Sequence, residues 1–186
     1  MLLLLSGITL WIGIHLIPSL GLPLKQSIVA KIGLMTYRAL FALCIITALA
    51  LIVLGWRGAQ PVSIYLPSTG LRPWAIGLTV VAFILLGATG RPSRIGRVLR
   101  FPQLSAVLLW AGAHLMVNGD SRSLVLFPGL ALWALIMMIV IRRRDPVWEK
   151  PAAPSWTTEL LGLVATLLLI LGVIALHPWF TGMPIY

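Results

Sequence analysis

Long apolar runs, broken by short polar segments, dominate this chain of 186 residues. A helix needs about 20 mostly apolar residues to cross roughly 30 Å of hydrocarbon. Six runs approach that length, and glycine, proline or clustered charges mark the breaks between them. They cover residues 2–20, 34–54, 74–90, 104–119, 123–141 and 157–177. The pattern predicts an all-α polytopic membrane protein, with a six-helix transmembrane bundle that forms a single domain over residues 1–186.

Composition supports a bilayer environment. Hydrophobic residues make up 60% of the chain and charged residues only 10%, which is too little polar surface for a soluble domain. The sole cysteine, Cys44, lies inside a predicted span. It therefore excludes an internal disulfide, a CxxC redox motif and a thiolate zinc site within this sequence.

The basic residues are distributed unevenly among the connections and give a formal net charge of +10. Only Arg57, Arg72 and Arg122 lie in or beside the second and fourth connections. The other eleven lie in or beside the first, third and fifth: Lys25, Lys31, Arg38, Arg91, Arg94, Arg97, Arg100, Arg142, Arg143, Arg144 and Lys150. The positive-inside rule then predicts that these three connections face the cytoplasm and that both termini lie outside. Orientation in a lipid bilayer accounts for this charge, so we expect no nucleic-acid partner.

Two short strings nearly repeat each other inside predicted spans. Residues 11–16 read W-I-G-I-H-L and residues 110–115 read W-A-G-A-H-L, and they hold two of the three histidines. An ionisable side chain in a span is costly and needs a partner or a function. Because residues four apart share a helix face, Trp11 adjoins His15, and Trp110 and Asn118 flank His114. The intervening glycines fall on the opposite face, where we expect close helix–helix contact.

The matched histidines suggest a shared metal. Zinc usually takes three or four ligands, and the four acidic residues all lie in connections or at span ends. Two neutral imidazoles, His15 and His114, suit the axial positions of haem b. The absence of C-x-x-C-H predicts non-covalent attachment. In the alternative interpretation, each histidine only forms a hydrogen bond to a neighbouring helix.

Haem propionates need cationic or phenolic partners. Lys31, Tyr37 and Arg38 lie at the cytoplasmic end of the second span and are the candidates for that role. An iron with two histidine ligands is coordinatively closed, so catalysis or gas binding would require one imidazole to leave. Reduction or an incoming ligand could release it.

The third histidine begins a different string, H-P-W-F-T-G at residues 177–182. We expect Pro178 to stop the last helix and Trp179 to anchor it at the membrane interface. The string also resembles the H-P-x-Y/F-x-G element of membrane methyltransferases that modify isoprenylcysteines and phospholipids. A methyltransferase-like activity centred on His177 is therefore an alternative function.

Over nearly its full length the chain resembles the NnrU family of bacterial membrane proteins. The resemblance rests on G-I-H at 13–15, on Y-R at 37–38 before a run ending in G-W at 55–56, on A-G-A-H-L-M-V-N-G at 111–119 and on the closing H-P-W-F-T-G. The family takes its name from genes associated with nitrite and nitric oxide reduction. Its plant relative, zeta-carotene isomerase, is a haem b membrane enzyme with histidine iron ligands on separate spans.

The resemblance implies a haem b-binding protein of the bacterial cytoplasmic (inner) membrane with bis-histidine ligation by His15 and His114. It leaves two activities open: a redox-gated isomerase-like reaction on a lipidic polyene, and a denitrification-associated role with a diatomic gas such as nitric oxide. The chain is much shorter than the plant enzyme, so carotenoid specificity is not implied. A homo-oligomer, or a non-catalytic scaffold for a respiratory reductase, is a further alternative.

Overall fold

The computed structural model describes residues 1–20 and 22–183, and within them it contains seven α-helices and two short 3-10 turns. The helices are α1 (Leu2–Leu20), α2 (Leu22–Ile32), α3 (Leu34–Gly58), α4 (Arg72–Gly87), α5 (Pro102–Leu115), α6 (Ser121–Arg144) and α7 (Trp156–Thr181). The all-helical fold expected from the apolar runs is confirmed for these residues.

Five helical segments are long and apolar enough to cross a membrane, so the protein is a multi-pass membrane protein. They are Leu2–Leu20, Leu34–Gly58, Thr69–Gly87, Ser121–Arg144 and Trp156–Thr181. The predicted run at 104–119 does form a helix, but α5 has only 14 residues and is roughly 21 Å long. The expected count of six full spans is therefore not confirmed.

Contacts at the ends of the short helix α5 explain its length. Pro102, which lacks a backbone N–H, occupies its first turn. At its other end, the hydroxyl of Tyr65 shares its single proton between the carbonyls of Asn118 (2.8 Å) and Leu115. The backbone of residues 116–120 is thus held by the α3–α4 connection rather than continuing the helix.

Helix α2 is an addition to the predicted architecture. Its 11 residues lie in what the sequence indicated to be the first connection, and none of them is buried. Lys25 and Lys31 both belong to it.

The termini of the long helices lie together at the two ends of the bundle. The indole Nε1 of Trp56, near the end of α3, donates to the carbonyl of Thr181 at the end of α7 (3.2 Å), and Gly55 faces Leu4 near the start of α1. At the other end, Arg144 of α6 donates to the carbonyl of Pro18 of α1 (3.2 Å). The start of α1 and the end of α7 therefore lie together at one end of the bundle.

The opposite end, where α1 and α6 terminate and α3, α5 and α7 begin, carries the eleven basic residues of the three basic connections; we call it the basic end. This asymmetry has the form of the positive-inside rule. Which end faces the cytoplasm stays a prediction.

Helix α6 packs between α1 and α5. Phe127 contributes to one apolar cluster with Leu4, Ile8, Ile52 and Trp56. One and a half turns later Trp133 and Met137 contribute to a second cluster with Leu104. Many leucines of α3 and α7 remain exposed, as expected for helix faces in contact with lipid.

Close helix packing uses different glycines from those expected. A Cβ on Gly7 would meet the backbone of Ala48 and Ile52 within 2.9 Å, and one on Gly55 would meet the backbone of Leu4. Gly13 and Gly112, the glycines of the repeated strings, have no neighbour within 4 Å of such a Cβ. The expectation that they mediate helix contacts is wrong, because the faces that carry them point away from the bundle.

Candidate functional site

His15 lies in an aromatic cage built from three helices. Its imidazole centroid is 4.4 Å from that of Trp11 on its own helix, 4.9 Å from that of Trp133 on α6 and 5.7 Å from that of Phe41 on α3. Tyr37, one turn before Phe41, extends the cage: its ring centroid is 6.2 Å from that of Phe41. The cage lies near the basic end, because His15 is five residues from the end of α1.

The hydrogen bond of the ring indicates the tautomer of His15. Its Nδ1 lies 2.8 Å from the carbonyl oxygen of Trp11. A carbonyl only accepts, so Nδ1 carries the proton and Nε2 of the neutral ring keeps its lone pair. Histidines that bind metals are typically oriented in this way, by an N–H donated to a carbonyl or carboxylate.

Three donors around His15 lack partners. Among residues 1–20 and 22–183, the buried side-chain polar atoms with no hydrogen-bond partner are Nε1 of Trp11, the hydroxyl of Tyr37 and Nε1 of Trp133. All three belong to the aromatic cage, and Trp133 is only 4% exposed. An unpaired buried donor costs about 1–3 kcal/mol, and the large majority of buried polar groups in folded proteins are paired. Two of the three donors belong to indoles in contact with one imidazole and the third to Tyr37, beside Phe41, so they mark the surroundings of His15 as a candidate ligand site.

A cavity of about 330 Å³ opens beside the cage. Its walls include His15, Trp133 and Met137, and it extends past Phe101 to Arg100 and Gln103 at the basic end. The volume falls within the usual range for small-molecule sites, roughly 300–1,000 Å³, and such sites are mostly apolar with a few polar groups. We call this space the His15 cavity.

The structure separates the residues expected to contact propionates. None of the three lines the His15 cavity: Tyr37 belongs to the aromatic cage, whereas Lys31 and Arg38 are exposed. Arg100, which was not singled out from the sequence beyond its role in orientation, does line it.

His114 has surroundings of the same kind at a different depth. Its ring centroid is 4.7 Å from that of Trp110 and 4.6 Å from that of Phe127. Its Nδ1 lies 2.8 Å from the carbonyl of Trp110, so its Nε2 is also unprotonated. Asn118 does not reach the imidazole of His114: its side-chain amide donates to the backbone carbonyl of that residue at 2.9 Å and stabilises the end of α5.

The two imidazoles are not brought together. His15 lines the same cavity as Leu104, whereas His114 follows Leu104 by ten residues on α5, a distance of roughly 15 Å along the axis. The His15 cavity does not include His114. Axial nitrogens on one metal would lie only about 4 Å apart, since each metal–nitrogen bond is about 2 Å. The repeated strings therefore form two similar but separate environments.

The string at 177–182 forms the end of a helix. Pro178 lies inside α7, which continues to Thr181, so the expectation that this proline stops the helix is wrong. The ring Nδ1 of His177 lies 3.1 Å from the carbonyl of Met183, and Arg57 donates to the carbonyl of Trp179 at 2.9 Å. Trp179 itself is exposed, as an interfacial anchor would be.

A polar cluster secures the end of the bundle opposite the basic end. Asp120 caps α6 by accepting from the backbone N–H groups of Arg122 and Ser123. The buried guanidinium of Arg122 also donates to the carbonyl of Trp56 (3.2 Å) and lies over its ring. Burial alone would raise the pKa of the Asp120 carboxyl, but the hydrogen bonds from Ser123 and Arg122 together hold that pKa below its ordinary value.

Sequence reasoning missed Trp133, Phe41 and Arg100. Phe41 follows Tyr37 by four residues, which is a helical spacing that could have indicated a shared face. Trp133 and Arg100 are distant from His15 in sequence and carry no local signal.

No curated protein and no solved structure shows significant similarity to this chain. The family model described as "NnrU protein" matches residues 3–185, which is nearly the whole sequence. The chain therefore belongs to the NnrU protein family.

Proposed function

We propose that this protein binds haem b non-covalently in the His15 cavity, with Nε2 of His15 as the protein ligand of the iron. One observation carries the proposal: of the three buried donors without partners in residues 1–20 and 22–183, two are the indole N–H groups of Trp11 and Trp133, which pack on His15, and the third belongs to Tyr37, beside Phe41 of the same cage. The carbonyl of Trp11 holds Nδ1 of His15, which leaves the Nε2 lone pair of the neutral ring for a metal. An imidazole held by a backbone carbonyl is the usual protein ligand of haem iron, and haem supplies a Lewis-acidic, redox-active centre.

The residues of the His15 cavity suit a large planar ligand. Trp133 and Phe101 provide aromatic wall, Met137 adds a deformable apolar surface, and Arg100 at the basic end provides a positive charge. The carbonyl of Trp11 fixes the tautomer of the partly buried His15 ring.

The separation of the two histidines bears on ligation. Shared binding by His15 and His114 would require a shift of α5 by roughly 10 Å, about two helical turns. We therefore favour His15 as the one protein ligand of the iron, which would leave the iron accessible to a small molecule. That would suit both activities that the sequence left open, binding of a diatomic gas such as nitric oxide and isomerisation of a lipidic polyene.

The test is the absorption spectrum of detergent-purified protein loaded with hemin, oxidised and then reduced, in wild type, His15→Ala and His114→Ala. The proposal expects a Soret band in wild type and His114→Ala, with loss of the band in His15→Ala. The two variants are matched controls, because each imidazole has the same backbone hydrogen bond and tryptophan neighbour.

Other results would contradict the proposal. Protein that stays colourless with hemin rules out haem binding. Loss of the band in each single variant, with a six-coordinate low-spin spectrum in wild type, would instead support ligation by both histidines. Co-purification of a respiratory reductase with colourless protein would favour the scaffold function. Fractionation of bacterial envelopes would test the proposed location in the cytoplasmic membrane.

A further inference from the structure

We propose that Arg100 is the anion-binding residue of the His15 cavity, so that the cavity takes an amphipathic carboxylate with its acid group at the basic end. This inference rests on the proposed haem function and assigns the contact for the haem carboxylates.

Arg100 contributes a positive charge to the wall of the His15 cavity. It lies directly before the first turn of α5 and lines the same space as His15 and Trp133. Its guanidinium carbon is 5.0 Å from the ring centroid of Phe101, another lining residue. An arginine can donate up to five N–H bonds in a planar fork that matches the two oxygens of a carboxylate.

The charge of Arg100 is not neutralised by an ion pair. The ion pairs of residues 1–20 and 22–183 do not include it, and its guanidinium donates instead to the backbone carbonyl of Asp145. The carboxylate of Asp145 is bound by Arg144, at 2.7 Å and 3.1 Å. The Asp145 carboxylate, which is close enough to interact electrostatically with Arg100, is therefore held by Arg144, and the remaining donors of Arg100 can bind an anion.

The polarity of the cavity orients the ligand. Arg100 and Gln103 lie at the basic end, while His15, Trp133 and Met137 line the part that lies among the helices. An amphipathic ligand would place its carboxylate at Arg100, near the aqueous interface, and its apolar body against Trp133. A carboxylate placed the other way round would lose the positive charge of Arg100 and would be buried among apolar side chains, with the indole N–H of Trp133 as a neutral donor, which is unfavourable.

The experiment measures binding of three porphyrins by quenching of tryptophan fluorescence in the purified full-length protein. Hemin carries iron and two carboxylates, hemin dimethyl ester keeps the iron but has no acid, and iron-free protoporphyrin IX keeps the acids. The variants are Arg100→Leu, Arg100→Lys and, as a matched control, Arg97→Leu. Arg97 belongs to the same connection but does not line the His15 cavity.

Arg100→Leu should weaken hemin and protoporphyrin IX by about tenfold or more, since a hydrogen bond to a charged group contributes about 1.5–3 kcal/mol. Its affinity for the dimethyl ester should stay within about twofold of wild type, as should all affinities of Arg97→Leu. Arg100→Lys should fall between wild type and Arg100→Leu, because lysine keeps the charge but loses the fork.

Equal hemin affinity in wild type and Arg100→Leu would overturn the assignment. Equal weakening of the dimethyl ester would also overturn it, because it would mean that Arg100 only supports the fold. Failure of the iron ligand has a different signature: hemin would bind no better than protoporphyrin IX, while Arg100→Leu would still weaken the acid forms.

Discussion

Trp133 lies edge-on to His15, with ring centroids 4.9 Å apart and ring planes inclined by 65°. Through Trp133, helix α6 contacts the imidazole on α1, and the indole N–H of Trp133 has no hydrogen-bond partner. One residue thus shapes the wall of the candidate site and leaves an unpaired donor there. This combination makes Trp133 the most informative position to change.

Trp133→Phe should weaken hemin binding while it changes the stability of the ligand-free protein little. The change removes an unpaired donor, so the protein without ligand should lose little free energy of unfolding beyond the loss of indole volume. Trp56→Phe is the matched control, because both tryptophans are 4% exposed but the indole of Trp56 is bonded to Thr181. We expect Trp56→Phe to be more destabilising by about 1 kcal/mol in detergent unfolding.

Hemin affinity is the second property in which the Trp133→Phe and Trp56→Phe variants should differ. Trp133→Phe should weaken hemin binding, whereas Trp56→Phe should not, because only Trp133 lines the His15 cavity. If both variants lose the same stability and neither changes hemin affinity, the indole of Trp133 has a purely packing role.

Gly55→Ala tests the contact between α1 and α3. The added methyl group would collide with the backbone of Leu4, which cannot move aside as a flexible side chain would. We expect a loss of about 1–3 kcal/mol in the free energy of unfolding, the usual cost of overpacking. Gly112→Ala is the control; its methyl group meets nothing within 4 Å and should be neutral or slightly stabilising. Equal melting temperatures for the two variants would contradict the packing described here.

The cap at Asp120 predicts an acid-sensitive contribution to stability. A carboxyl whose pKa is lowered by folding stabilises the folded state above its ordinary pKa, and this contribution is lost as pH falls through the folded value. Wild-type protein should therefore lose stability below about pH 4, and Asp120→Asn should lose this part of the pH dependence. At neutral pH the variant should lose only the ion pair with Arg122, because asparagine caps a helix about as well as aspartate.

Asp145→Asn is the control for that pH series. Its carboxyl pKa is also lowered, by the hydrogen bond from Arg144, but the group is fully exposed and pairs only at the surface. Pairs of this kind contribute little to stability because water screens them. A pH profile that changes with Asp145→Asn and not with Asp120→Asn would contradict the assignment.

Properties that depend on local sequence were predictable, and those that depend on which helices meet were not. The lengths of the apolar runs predicted five of the membrane-crossing helices, because hydropathy acts on each segment separately. The early end of α5 could not be predicted, because Tyr65 in a distant connection binds carbonyls at that end. The repeated strings predicted a tryptophan beside each histidine, but the shared iron inferred from them does not follow from local sequence, because the resemblance carries no information on the distance between the two rings. Arg100 and Trp133 join His15 only through packing of α5 and α6 on α1.

The arrangement of the helix ends predicts membrane topology. Residues 59–68 lie between the end of α3 and the start of α4, at the end opposite the basic residues, whereas residues 145–155 lie at the basic end. In a Cys44→Ser background, Ser68→Cys should therefore react with a membrane-impermeant maleimide on intact cells, since the positive-inside rule places it outside. Val147→Cys, at a position that is 77% exposed, should react only after the membrane is permeabilised. Labelling of Val147→Cys and not Ser68→Cys on intact cells would reverse the orientation, and labelling of both would contradict a bundle with one basic end in the cytoplasm.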